Sequence, residues 1–281
     1  MKQRIITSIV AVCVLLPVLF FHASFLLPLG VAVCSLIAVY EMLGCMGFKR
    51  LGSVSIPIYA AAAAFPFLIR YLLNRDLVKS IAFAAVAVVS LYLFGVMIFS
   101  HGKYRIGEIG ALAFSILYIL IGFNAILVVH DWADGGEYLY LVCFIGAWIT
   151  DIFAYFCGML FGRGGKHKLI PDVSPKKTVE GSIGGIVFCV LSLMLFGFIV
   201  EMINPAIRAN LLIFAFAGVF VSVVAQVGDL SMSVIKRTYG IKDYGKLFPG
   251  HGGVLDRFDS VIAVSVVLLV FTTFFSFFKV M

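Results

Sequence analysis

Charged side chains are scarce in this chain of 281 residues. Asp, Glu, Lys and Arg make up only 12% of it, whereas 63% of the residues are hydrophobic. A soluble domain carries about 25% charged and about 45–50% apolar residues. The shortage of charge therefore excludes a soluble enzyme and indicates an integral membrane protein, so that the length does not imply two soluble domains.

Paired cysteines are also missing. The six cysteines, at positions 13, 34, 45, 143, 157 and 189, include no CxxC spacing, and nearly all lie in apolar runs. This pattern disfavours disulfides and a zinc site, and favours small buried apolar side chains. The short alternating segments of a membrane barrel are absent too, because the apolar runs are continuous and about 20 residues long. The spanning elements must therefore be helices.

The apolar runs predict an all-α integral membrane protein with about nine transmembrane helices. We interpret the first run as a retained span, because no small-residue cleavage site follows it. With a cytoplasmic N-terminus, most Lys and Arg residues fall in cytoplasmic segments, in agreement with the positive-inside rule. The predicted spans lie near 5–21, 25–45, 54–72, 79–99, 107–129, 138–161, 183–203, 209–237 and 258–278.

Two loops on the predicted cytoplasmic side are rich in Gly, Lys and Arg. They cover residues 162–185 and 236–257, and the N-terminal half has no comparable loop. We therefore predict an N-terminal transmembrane scaffold of about five helices, 1–136, followed by a C-terminal catalytic region of about four helices, 137–281. The active site is expected at the cytoplasmic side of the C-terminal helices.

Carboxylates within apolar helices mark the candidate site. Asp229 shares one helical face with Ser233 and Lys236, because their spacing is i, i+4, i+7. A bare carboxylate inside an apolar helix costs about 2.5–3.5 kcal/mol, so it normally faces a cavity or has a partner. Asp151 and Tyr155 share a face of span six and could line the same cavity. For both acids the alternative is a structural ion pair with a nearby Lys or Arg.

Asp256 and Asp259 share one face at the start of the last span. The helix dipole also favours acids there, so a structural role for Asp259 is an open alternative. Asp229 and Asp256 could together hold Mg²⁺, which typically takes one or two carboxylates plus substrate phosphate oxygens. Glu41 and Glu108 lie near the cytoplasmic boundary, where charge is well tolerated, and we do not include them among the candidates.

The PGHGG turn, residues 249–253, is a candidate anion-binding nest. A glycine-rich turn alone is weak evidence, but Lys242 and Asp243 precede this one and Asp256 follows it. His251 could be a phosphate donor, an acid or base, or only a hydrogen-bonding residue of the loop.

A second basic cluster, SPKKT, covers residues 174–178. Lys176 and Lys177 are candidate polyphosphate ligands, and the alternative is an anchor on anionic lipid head groups. The nearby Pro175 and Gly181 favour a shaped loop over a simple anchor.

Together these residues resemble the signature of phosphatidate cytidylyltransferases, also called CDP-diacylglycerol synthases, over roughly residues 145–265. The signature runs S-x-x-K-R, then K-D, then P-G-H-G-G-x-x-D-R-x-D. The chain supplies each fixed position with Ser233, Lys236, Arg237, Lys242, Asp243, Pro249, Gly250, His251, Gly252, Gly253, Asp256, Arg257 and Asp259.

The resemblance implies Mg²⁺-dependent transfer of a cytidylyl group from CTP to phosphatidate, in phospholipid biosynthesis at the cytoplasmic face of the cell membrane. It implies the lipid bilayer as surroundings, no nucleic-acid partner, a homodimer, and a monovalent cation such as K⁺ beside Mg²⁺. The expected metal ligands are Asp229, Asp256 and Asp259. The expected catalytic residues are Asp229, Asp256, Lys236, Arg237 and His251. The expected substrate-binding residues are Ser174, Lys176, Lys177, Ser233, Lys242, Asp243, Gly250, Gly252, Gly253, Arg257, Asp151 and Tyr155.

Two other functions are compatible with parts of the pattern. A cytidylyltransferase for another lipid phosphate would carry the same signature, because the signature residues are expected to bind CTP rather than the lipid tails. An ion-coupled transporter also uses intramembrane acids and glycine-interrupted helices. Against a transporter, no inverted repeat is visible, and the polar residues cluster at the cytoplasmic edge.

Overall fold

The structure, a computed structural model, describes residues 2–72, 74–100, 103–162 and 167–280. Over these ranges the chain forms nine helices and four short strands, so the predicted helical fold class is confirmed. The helices are α1 Lys2–Phe20, α2 Leu26–Cys45, α3 Ser55–Tyr71, α4 Arg75–Phe99, α5 Ile106–Trp132, α6 Gly136–Phe161, α7 Val179–Ile203, α8 Leu211–Thr238 and α9 Leu255–Phe274. The strands are β1 Lys168–Ile170, β2 Ser174–Thr178, β3 Ile207–Ala209 and β4 Phe278–Val280.

Seven of the described helices, all except α1 and α3, are long and apolar enough to cross a membrane. α3 has 17 residues with Pro66 inside it, fewer than the roughly 20 that a bilayer typically requires. In α1 the side chains are described from Ile9 onward, and over this part the helix is apolar. The structure therefore shows a multi-helix protein of membrane character.

Two compact units make up the chain. The first comprises residues 1–127 and 241–257, and the second comprises residues 128–240 and 258–281. The PGHGG turn thus belongs to the same unit as the first helices. The functional division that we predicted at residue 136 stays a prediction.

In the second unit, glycines allow α7 to approach α6 closely. A Cβ on Gly181 would collide with the carbonyl oxygen of Ala154, and one on Gly158 would lie 2.9 Å from Oγ1 of Thr178. The Thr178 hydroxyl accepts a hydrogen bond from the Gly181 amide at 3.1 Å and so caps the start of α7. This packing fixes the point at which the basic segment 174–178 enters the helix.

The loop between α6 and α7 folds as an antiparallel hairpin of β1 and β2, with Ile170 opposite Ser174. Residues 163–166 of this predicted basic loop lie outside the described residues. In the same unit β3 pairs antiparallel with β4, although α8 and α9 separate the two strands in the chain.

In the first unit, α2 packs against α3 and buries most of one face. Ala38, Val39, Met42 and Leu43 are fully buried there. Glu41 lies among them and is only 4% exposed, which is unusual for a carboxylate unless it has partners.

Candidate active site

In the second unit, the basic hairpin contacts Asp229 of the apolar helix α8. The Lys177 ammonium forms an ion pair with Oδ2 of Asp229, and each side chain is less than a third exposed. Side chains alternate along a strand, so the preceding Lys176 takes the other direction and is exposed. The structure therefore distinguishes the two lysines that the sequence presented as equivalent, and it brings Lys177 to Asp229.

Further polar groups gather around Asp259 in the same unit. Its carboxylate is 7% exposed and interacts electrostatically with Asp229, Asp151 and Lys236. Lys236 is itself 9% exposed. Three carboxylates and two ammonium groups, counting Lys177 of β2, thus lie near one another beside helices that are otherwise apolar.

Local hydrogen bonds orient this cluster. Oδ1 of Asp259 accepts from the Ser260 amide at 2.8 Å, and the Ser260 hydroxyl donates to Oδ2 of Asp151 at 3.4 Å. Asp151 is therefore linked to α9. Tyr155, predicted on the same face of α6, is 67% exposed and stacks edge-on against Phe156. Its predicted substrate contact stays a prediction.

The donor chemistry of this cluster fits Mg²⁺, because carboxylate oxygens are the hard ligands that this ion takes. Within the described parts of the chain, no group of three or more His, Cys, Asp and Glu side chains is arranged to hold a metal ion. The protein would therefore supply one or two carboxylates, and water or substrate oxygens would supply the rest.

The base of the basic hairpin is closed by a second polar contact. Nδ1 of His167 lies 2.6 Å from Oε1 of Glu180, and the Val179 amide donates to the His167 carbonyl at 3.0 Å. These contacts join the start of β1 to the first turn of α7. They hold the hairpin at the position from which Lys177 reaches Asp229.

In the first unit, Asp256 shapes the PGHGG turn. Its Oδ2 atom accepts hydrogen bonds from the amides of Tyr244 at 2.8 Å and Gly253 at 2.9 Å. Gly250 and Gly252 have φ values of 78° and 86°, in the left-handed region that favours glycine. The Gly253 amide is thus committed to Asp256, so that a phosphate nest would use other N–H groups of the turn.

Other bonds close the same turn. The Phe248 amide donates to the Gly252 carbonyl at 2.9 Å, and the His251 amide donates back to the Phe248 carbonyl at 2.8 Å. Nε of Arg257 donates to the His251 carbonyl at 2.9 Å. Arg257 therefore supports the turn through its Nε group while its side chain remains exposed.

A residue that the sequence interpretation set aside completes this region. Glu41 of α2 accepts hydrogen bonds from the amides of Val254 and Leu255, at 3.0 and 2.9 Å. In the sequence, the one indication of a role for Glu41 was that an acid stands inside an apolar run. Glu41 was not included among the candidates because it lies near the predicted membrane boundary. Its two partners also lie more than 200 residues away along the chain.

The remaining predicted residues divide between the two units. Ser174 and Ser233 are half-buried in the second unit, where Arg237 is exposed. Lys242 and Asp243 are exposed in the first unit. Asp229 belongs to the second unit and Asp256 to the first, and their joint hold on one metal ion stays a prediction.

A family model described as "Cytidylyltransferase family" matches residues 2–275. The chain belongs to the cytidylyltransferase family. The resemblance noted over residues 145–265 is therefore confirmed, and the match extends it over nearly the whole chain.

Several curated relatives are named phosphatidate cytidylyltransferase. One from Staphylococcus haemolyticus is 33% identical, with 94% of this chain and 96% of the relative covered. One from Bacillus subtilis is 33% identical over 98% and 99% of the two chains. One from Staphylococcus saprophyticus is 34% identical over 94% and 96%. These matches to cytidylyltransferases over whole chains do not support the alternative of a transporter.

Gly252 offers a test of the PGHGG turn in this cytidylyltransferase. A Cβ at this position would lie 2.5 Å from Oδ2 of Asp256, and the residue has a positive φ. We expect Gly252→Ala to lower cytidylyl transfer by about tenfold, because the turn must shift away from Asp256. Gly47→Ala is the matched control, since Gly47 has φ +75° but nothing within 4 Å of its Cβ position. Equal losses in the two variants would show that backbone strain alone accounts for the effect.

Proposed function

We propose that this protein is a phosphatidate cytidylyltransferase, which converts CTP and phosphatidate to CDP-diacylglycerol and pyrophosphate. The observation that carries the proposal is the ion pair between Lys177 of the basic hairpin and Asp229 of α8. The pair joins the ammonium group of Lys177, which we assign to polyphosphate binding, to the carboxylate of Asp229 in a chain of the cytidylyltransferase family. The relatives named phosphatidate cytidylyltransferase match over nearly their full length, which supports CTP and phosphatidate as the substrates of this protein too.

The chemistry is a displacement at phosphorus. A phosphate oxygen of phosphatidate attacks the α-phosphorus of CTP, a new P–O bond forms, and the bond to the pyrophosphate leaving group breaks. A phosphate monoester is already ionised near neutral pH, so the reaction needs no strong general base. Catalysis of this kind depends on positioning and on neutralising charge, and it needs no covalent intermediate with the protein.

The basic residues are suited to binding the anionic substrates. Lys177 and Lys236 are partly or largely buried beside carboxylates, so their positions are fixed before substrate arrives. Lys176, Arg237 and Lys242 are exposed and can follow a flexible triphosphate. We assign the first pair to the reacting phosphates and the exposed three to capture of CTP and of the lipid head group.

Asp229 and Asp256 are the residues that would hold Mg²⁺, with Asp259 as a further candidate and K⁺ as an accompanying ion implied by the family resemblance. When bound, Mg²⁺ neutralises negative charge on the triphosphate oxygens. His251 and the glycines of the turn, Gly250 and Gly252, are assigned to the departing pyrophosphate.

The apolar helices and the bacterial relatives support a multi-pass protein of the bacterial cell membrane. We propose that α1 and α3 also cross, giving nine spans with a cytoplasmic N-terminus. The site would then face the cytoplasm, where CTP is available, while phosphatidate arrives laterally from the leaflet. A homodimer is part of the same proposal.

Turnover by purified protein in detergent tests the function. With labelled CTP, phosphatidate and Mg²⁺, we expect CDP-diacylglycerol and pyrophosphate in equal amounts. Excess EDTA should abolish both products, and added Mg²⁺ should restore them. Products that persist in EDTA would contradict the metal requirement. Activity with an isoprenoid or ether-lipid phosphate but not with phosphatidate would establish the alternative substrate.

A further inference from the structure

Glu41 connects α2 to the start of α9 by a two-oxygen contact. Oε1 accepts from the Val254 amide and Oε2 from the Leu255 amide, so each carboxylate oxygen has its own backbone donor. The side chain is 4% exposed. A buried carboxylate of this kind is retained at a desolvation cost, which its two charge-assisted hydrogen bonds offset.

Two glycines provide the space for this carboxylate. A Cβ placed on Gly245 or on Gly253 would collide with Oε1 of Glu41. Gly245 follows Lys242 and Asp243 by only a few residues, and Gly253 ends the PGHGG turn. The Glu41 carboxylate is therefore enclosed by the two segments that carry the signature residues of the first unit.

Glu41 and Asp256 together occupy three consecutive amides at the start of α9. The Gly253 amide donates to Asp256, and the next two amides donate to Glu41. The first N–H groups of a helix would otherwise be ready anion donors. Since carboxylates of the protein already accept from them, these three amides are not available to the substrate phosphates.

We infer that Glu41 is a positioning residue, which fixes the backbone of Gly253–Leu255 from α2 and so holds the PGHGG turn and Asp256 in the geometry that binds CTP. The inference rests on the proposed function for the identity of the nucleotide. An ordinary helix cap is supplied by a Ser, Thr, Asn or Asp that directly precedes the helix. Here the acceptor comes from another helix, and glycines on both sides leave room for it.

Glu41→Gln is the first variant to measure. Each amide donates to a different oxygen of Glu41, and glutamine replaces one of these oxygens with an NH₂ donor, so one of the two amides loses its acceptor. We expect kcat/KM for CTP to fall by about 10–100-fold, mainly through KM for CTP, while KM for phosphatidate stays within about twofold. Glu41→Asp keeps both oxygens but is one methylene shorter, and it should give an intermediate loss.

Gly245→Ala perturbs the same contact without altering a charge. The glycine has no positive φ, so the variant tests the collision with Glu41 together with a close approach, 3.1 Å, to the Cα atom of Gly253. Gly245→Ala should raise KM for CTP, as Glu41→Gln does. It also tests the inference if Glu41→Gln does not fold. Glu108→Gln is the matched control, because Glu108 accepts from the Arg105 amide at an exposed helix start, and we expect its kinetics to be those of wild type.

Hydrogen exchange of the segment 249–257 gives a readout that does not depend on turnover. CTP should slow exchange in the wild type and in Glu108→Gln, and this protection should be lost in Glu41→Gln and Gly245→Ala. Variants that melt at lower temperature but keep the wild-type KM and CTP protection would overturn the inference and leave Glu41 a structural cap. A wild type that shows CTP protection but makes no CDP-diacylglycerol would instead overturn the proposed function.

Discussion

Asp229→Asn should lower the rate of CDP-diacylglycerol formation by about 10²–10³-fold, the usual size of the effect when one electrostatic contact to a reacting group is lost. The substitution keeps the size of the side chain but removes the charge that pairs with Lys177. It also removes a hard oxygen ligand from the group around Asp259. Because no apolar packing changes, the variant should fold, and the initial rate with saturating CTP and phosphatidate measures the loss.

A substitution of Lys177, the partner of Asp229, tests whether the two residues act together. Lys177→Met should also lower the rate strongly, and the double variant should be little worse than either single one if the two residues act as a unit. The pair Asp76–Lys79 is the control, since its side chains lie 3.2 Å apart and are largely exposed on α4. Asp76→Asn should leave turnover unchanged. Additive losses in the double variant would show that Lys177 and Asp229 act separately.

Asp256→Asn should reduce turnover by about 10²-fold, whereas the PGHGG turn should remain in place. The reason is that asparagine retains one oxygen, which can still accept from the amides of Tyr244 and Gly253. Asp256→Ala removes that oxygen as well, so it should reduce turnover further and loosen the turn. The rate of each variant, together with hydrogen exchange of residues 244–257, separates the loss of charge from the loss of the turn.

Asp134→Asn is a suitable control, because Asp134 is exposed beyond the end of α5. The decisive comparison is between the two Asp256 variants. If Asp256→Asn turned over at the wild-type rate and only Asp256→Ala failed, then Asp256 would hold the turn without acting on substrate or metal.

The helices could be predicted well, because hydropathy alone decides which segments can lie in a bilayer. α2, Leu26–Cys45, nearly coincides with the span predicted at 25–45. α9 begins at Leu255, a few residues before the predicted 258, since the charged Asp256 and Arg257 interrupt the apolar pattern in its first turn. The β1–β2 hairpin was expected only as a shaped loop, because Gly and Lys do not specify a strand partner.

The sequence predicted which residues of the candidate site carry its chemistry, but not which of them contact one another. The sequence singled out Asp229 and Lys177, but their ion pair joins positions far apart in the chain, and periodicity reports only neighbours on one element. It could not rank Lys177 above Lys176, because the alternation of a strand was not yet known. The role of Glu41 was not predicted either, because its partners Val254 and Leu255 are distant in the chain and no residue near Glu41 indicates the contact.

The long separation between Glu41 and its amide partners bears on biosynthesis. Lys177 is made before Asp229, so the counter-ion of this carboxylate is already present when α8 is synthesised. For Glu41 the order is reversed, because its donors follow it by 213 and 214 residues. α2 is therefore synthesised while its acid has neither of these donors, and the contact can form only after the start of α9 has been made.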